Sequence, residues 1–86
     1  MKRSEVTCGQ LDQVLRSLGF SCRLLSDDPP PTRVYQHPEA GAMILLPALP
    51  ESDPVFEYHL VAVRTELDNL GIADPTAFAA QLHKAG

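Results

Sequence analysis

Thr32-Arg33-Val34-Tyr35-Gln36-His37-Pro38-Glu39-Ala40-Gly41-Ala42-Met43-Ile44-Leu45-Leu46-Pro47 is the stretch whose reading decides the fold. Over 32–36 the alternation sets Thr32, Val34 and Gln36 on one face of a strand and Arg33 and Tyr35 on the other. His37 to Gly41 is turn chemistry, with Pro38 holding His37 extended and Gly41 free to leave the turn. Ala42 to Leu46 is an apolar run that reads as a buried strand ending at Pro47. Two strands joined by so short a turn predict an antiparallel pair.

Upstream, Phe20-Ser21-Cys22-Arg23-Leu24-Leu25 alternates well enough for a further strand. The residues Ser26-Asp27-Asp28-Pro29-Pro30-Pro31 form a stiff acidic connector, because three prolines remove three amide donors and lock φ. Before these lies a helix over about residues 7–18. Thr7 and Gln10 have the spacing of a capping box, Val6 and Leu11 that of a hydrophobic staple. Leu11, Val14, Leu15 and Leu18 make its apolar stripe, and Gly19 supplies the left-handed exit.

Downstream, Asp53-Pro54 carries the acid-then-proline signature of a helix start. Phe56, Leu60, Val63, Leu67 and Leu70 lie on one face of that second helix, and Gly71 ends it. Tyr58, Val61, Ala62 and Thr65 make the other face less polar than a solvated one should be. It predicts a cover, either the chain's own tail or another subunit. Asp74-Pro75 repeats the start signature for a short helix over about 75–83, whose apolar pair is Phe78 and Leu82. The interface expected is therefore Tyr58, Val61, Ala62, Phe78 and Leu82.

These elements add up to an α+β fold, a two-layer α-β-β-β-α sandwich. A three-stranded antiparallel meander packs on two helices, and a short third helix follows at the C-terminus. The 86 residues are read as a single domain with its core over 4–72. Eleven acids against seven bases leave a net charge of −4, which disfavours binding through phosphate neutralisation. DNA is therefore not an expected partner, and RNA is a weak one. No apolar run approaches a membrane span, and the N-terminus lacks the apolar centre of a signal peptide, so a soluble, cytoplasmic chain with no membrane contact is expected. Cys8 and Cys22 are far from any metal-ligand spacing and read as free packed thiols; no metal or cofactor is expected.

Four places resemble one family. The opening helix ends in Leu18-Gly19-Phe20, one strand closes with Tyr35-Gln36-His37-Pro38, the next ends in Leu46-Pro47, and a later helix finishes Leu67-Asp68-Asn69-Leu70-Gly71-Ile72. In this order the chain, over about residues 4–72, resembles the HicA-type toxins of bacterial HicAB toxin–antitoxin modules. Those are small mRNA interferases with a double-stranded-RNA-binding-domain-like fold. The resemblance implies that fold, an endoribonuclease ancestry and a HicB-like antitoxin as partner. It also implies a Gly-Ser-His motif whose histidine acts as catalytic base. Aligned without a gap on His37-Pro38, this chain has Pro30-Pro31-Thr32 there, and threonine has no proton equilibrium near neutral pH.

Other candidates follow from residue type. His37 reads as a turn histidine bonded to local backbone, His59 as a packed histidine at the border of the helix's apolar stripe, and His83 carries no functional weight. His37 and His59 are the remaining candidates for acid and base, on condition that folding brings them together. Arg23, Arg33 and Tyr35 are the candidates for an RNA-binding patch, on condition that they share a face. The expectation is a non-catalytic HicA-like protein acting through protein association, as a homodimer or with a HicB-like antitoxin. The alternative is a divergent endoribonuclease using His37 or a nearby group.

Overall fold

The turn at 38–41 does join two antiparallel strands. In a computed structural model, which describes residues 3–26 and 31–85, they are β3 (Thr32–His37) and β4 (Ala42–Pro47). On the other side of β3 lies β2 (Ser21–Ser26), giving a three-stranded antiparallel meander in the order β2-β3-β4. Cys22, Tyr35 and Ile44 stand in one cross-strand row, and Arg23, Val34 and Leu45 in the next. Because side chains alternate, these rows project from opposite faces. The Tyr35 row faces the core, and β4 accordingly buries Ala42, Ile44 and Leu46 while Met43 and Leu45 remain exposed. Leu25 is an extra residue opposite β3, a bulge that breaks the register of β2. Of the acidic connector, residues 27–30 lie outside the described part of the chain.

The first helix, α1 (Cys8–Ser17), is built as its sequence predicts. Thr7 Oγ1 accepts the Gln10 amide at 3.2 Å, and Gln10 Oε1 accepts the Thr7 amide at 2.7 Å, closing the capping box. Leu11, Val14 and Leu15 are its buried stripe. Gly19, at φ +99, makes the exit that an L side chain adopts only under strain.

The expected helix start at Asp53-Pro54 is displaced. Pro54–Phe56 is instead a short strand, β5, paired antiparallel with β1 (Arg3–Thr7), and the second helix, α2 (Glu57–Asn69), begins only at Glu57. Bonds to distant residues decide this. The amides of Cys8 and Gly9, left without partners by the helix geometry of α1, donate to Asp53 O at 2.8 Å and Glu51 O at 2.9 Å. Ser4 Oγ donates to Val55 O at 2.8 Å. Together these hold residues 51–55 extended against the start of the chain. The same contact accounts for Gly9 inside a helical turn, since a Cβ there would lie 3.2 Å from Glu51 O.

The third helix, α3 (Pro75–Ala85), starts with Asp74 Oδ1 accepting the Ala77 amide at 2.7 Å. It packs against α1 and α2. Phe78 and Leu82 are buried in the same core as Leu11, Leu15, Val63 and Leu67. The tail therefore does not cover the second face of α2. Tyr58 and Val61 remain 52% and 40% exposed, and Ala62 is exposed beside them. The fold is α+β, with three helices and two antiparallel sheets among the described residues.

Candidate functional site

His37 and His59 do not meet. His37 closes the turn end of β3, where its ring lies edge-on to Phe20 with centroids 5.1 Å apart. Its Nδ1 accepts the Ala40 amide at 3.1 Å, so the proton sits on Nε2, which donates to Leu18 O, also at 3.1 Å. Both nitrogens are thus engaged by backbone. This is the turn histidine expected from the His-Pro pair.

His59 lies toward the opposite end of β3, in the first turn of α2. It lines a small cavity with Cys8, Arg33, Tyr35 and Phe56. About 20 Å³ is space for one water molecule and none for a nucleotide base. His59 Nδ1 is buried and has no hydrogen-bond partner among the described residues. Burial lowers the pKa of this ring below the usual histidine value, because the charged form is the one that loses hydration. The ring also packs against Tyr58 and Phe56, at centroid distances of 4.0 Å and 5.9 Å. Tyr58, exposed, thus caps an aromatic group at the start of α2.

Arg23, Arg33 and Tyr35 do not form one patch. Arg23 stands opposite Val34, on the outer face, whereas Arg33 and Tyr35 belong to the core face. Tyr35 is buried, and its hydroxyl donates to Asp12 Oδ1 at 2.6 Å. Arg33 lines the same small cavity as Tyr35, and Asp12 Oδ2 in turn accepts from Arg16 Nε at 2.9 Å. Burial first, and the bond to Asp12 second, hold the phenol well above the usual tyrosine value. Asp12 was absent from the sequence candidates. Its spacing to Arg16 is visible in a helix, but its partner Tyr35 is 23 residues away. Tyr35 and Asp12 make the joint between the sheet and α1.

Leu24 and Leu25 on β2 are half exposed, and a further open surface lies along β4. No strand among the described residues pairs with its outer edge. A groove of about 230 Å³ runs between that edge and α2, lined by Met43 to Leu46 on one side and by His59, Ala62, Val63 and Glu66 on the other. Met43 and Leu45, 58% and 53% exposed, rise from the outer face beside it. Of the expected interface residues, Ala62 lines the groove and Tyr58 adjoins it through His59. Val61 lies farther round the helix, and Phe78 and Leu82 belong to the interior. The groove's β4 wall was not anticipated, because Ala42–Leu46 reads as buried on both faces while only alternate residues are.

No family model, curated protein or solved structure matches the chain. Among the described residues no three His, Cys, Asp or Glu side chains come together as metal ligands, and no helix is long and apolar enough to cross a membrane.

Proposed function

We propose that the chain is a HicA-like domain that has given up RNA cleavage and acts by protein association. The observation that carries this is the β4 side of the molecule. A core of well-packed apolar residues is already closed, yet Met43 and Leu45 stand half exposed beside an unpaired strand edge and an open groove. Apolar surface gathered around an open edge is the usual mark of an interaction site. The HicA-like reading is supported by the order helix, three-stranded meander, helix, with His37-Pro38 at the end of β3 and Leu46-Pro47 at the end of β4. The β1–β5 pair and α3 are additions to that plan.

Loss of cleavage is supported by Thr32 at the family's histidine position and by the engagement of both His37 nitrogens. The endoribonuclease alternative keeps one foothold, His59, which lies near Arg33 at the same end of β3 as Thr32. Purified protein incubated with labelled single-stranded and structured RNA should leave both intact. Cleavage that disappears in a folded His59→Ala variant would replace this reading with the ribonuclease. Association is tested on native extract, where the protein should run above its monomer mass, with itself or with a HicB-like antitoxin. A monomer there would end the association reading.

A further inference from the structure

Resting on the association reading, we propose that the partner at the β4 edge is a second copy of this chain, joined antiparallel so that two meanders become one six-stranded sheet. Among the described residues the two outer edges of the meander, on β2 and β4, are unpaired, and they differ. On β2 the edge carries Arg23 and the bulge at Leu25, both of which discourage strand addition. From Ala42 to Leu46, β4 has no charge, no bulge and no proline, and its register with β3 is regular throughout. A strand edge of this kind extends for about 17 Å at the usual rise per residue.

Self-pairing follows from the residue pattern. In a two-fold dimer like meets like, so a charged edge would oppose its own charge, and this one carries none. An axis passing through Ile44 sets Met43 beside Leu45 of the second copy, and Leu45 beside its Met43. All four project from the outer face, where each is more than half exposed in the monomer. Pairing thus covers four large apolar side chains with one another and satisfies the free backbone groups of both edges. It places Ile44 against Ile44 on the core side. Across the groove, Ala62 is small enough to let the second strand approach α2.

Sedimentation equilibrium of the purified full chain over a concentration series tests this. The wild type is expected as a dimer at tens of micromolar. Leu45→Lys, on an exposed position whose substitution leaves the core untouched, should be monomeric at the same concentrations with an unchanged circular dichroism spectrum. Val61→Lys, on the solvent side of α2, should remain a dimer. The amides of β4 should exchange more slowly as concentration rises in the wild type and not in Leu45→Lys. A monomeric wild type up to hundreds of micromolar, or a dimer that survives Leu45→Lys, overturns the proposal. Neither result touches the association reading, which falls only if the native extract also holds the monomer.

Discussion

The hydroxyl of Tyr35 lies 2.6 Å from Asp12 Oδ1, a bond that ties the middle of the meander to the first helix. Tyr35→Phe removes the donor and keeps the packing. A hydrogen bond to a charged acceptor contributes about 1.5–3 kcal/mol, and Asp12, which keeps its bond to Arg16 when the phenol is removed, belongs at the lower end. Urea denaturation should show a loss of about 1–2 kcal/mol. Asp12→Ala in the Tyr35→Phe background should then cost less than in the wild type, because the shared bond is already gone.

The same bond predicts an alkaline limit. The folded-state pKa of Tyr35 is raised, so the folded chain keeps its phenolic proton where the unfolded chain has begun to lose it. Stability from this residue is whole below the ordinary tyrosine value of about 10 and declines as pH rises beyond it. Urea midpoints measured across that range should fall in the wild type and fall less in Tyr35→Phe. Equal slopes would mean that Tyr35 titrates freely.

His37 gives a prediction about structure where the family would lead one to expect chemistry. A Cβ on residue 19 would meet His37 Nε2 at 3.0 Å, and the backbone there is at φ +99. Gly19→Ala should therefore be destabilising by about 1–2 kcal/mol through φ alone, with the displaced ring adding to it. His37→Ala removes two bonds to backbone and should cost about 1–3 kcal/mol. For a domain of this size each kcal/mol lowers Tm by about 4–8 °C. A His37→Ala protein that melts with the wild type would show that the ring is not part of the turn.

Where local chemistry specifies structure, the sequence is readable. Thr7 and Gln10 are three residues apart, Asp74 and Ala77 likewise, and both caps form. The β-face alternation of Arg33, Val34 and Tyr35 is equally local. Pro54 is the contrary case. Its acid-proline signature is sound, but Ser4, Cys8 and Gly9 reach across some 45 residues to bind the carbonyls of Glu51, Asp53 and Val55, and those bonds hold the segment extended. Strands of five and three residues have too little periodicity to announce such a pair. The candidate site fares the same way. Ala62 and Tyr58 are visible as an odd face of a helix, whereas the wall across the groove is β4, a separate element earlier in the chain.

Phe78 and Tyr58, once candidates for one interface, should now behave oppositely. Phe78 is 2% exposed within the core, and Phe→Ala at such sites costs about 3–5 kcal/mol, a large share of the about 5–15 kcal/mol that holds a domain. Tyr58→Ala, at a surface position, should change stability by about 0.5 kcal/mol or less apart from its ring contact with His59. Thermal unfolding of the two variants at low concentration, where self-association contributes nothing, separates them. Similar losses in both would put Tyr58 inside the monomer's core.

His59 carries the acid-side prediction. Its pKa is lowered in the folded chain by burial, so below the ordinary histidine value of about 6.5 the unfolded chain takes up a proton more readily than the folded one. The neutral ring's contribution to stability is therefore complete above that pH and is lost as pH falls through the folded value. Leucine at this position keeps most of the apolar contact with Phe56 and removes both the titration and the unpartnered Nδ1. His59→Leu should be nearly as stable as the wild type at neutral pH, and more stable as the pH drops below about 6. Urea midpoints for the two proteins at neutral and mildly acidic pH measure the difference directly. Were the two to lose stability in parallel, the acid sensitivity would belong to other groups, and the Nδ1 atom would have to be hydrogen-bonded to the water for which the cavity beside it has room.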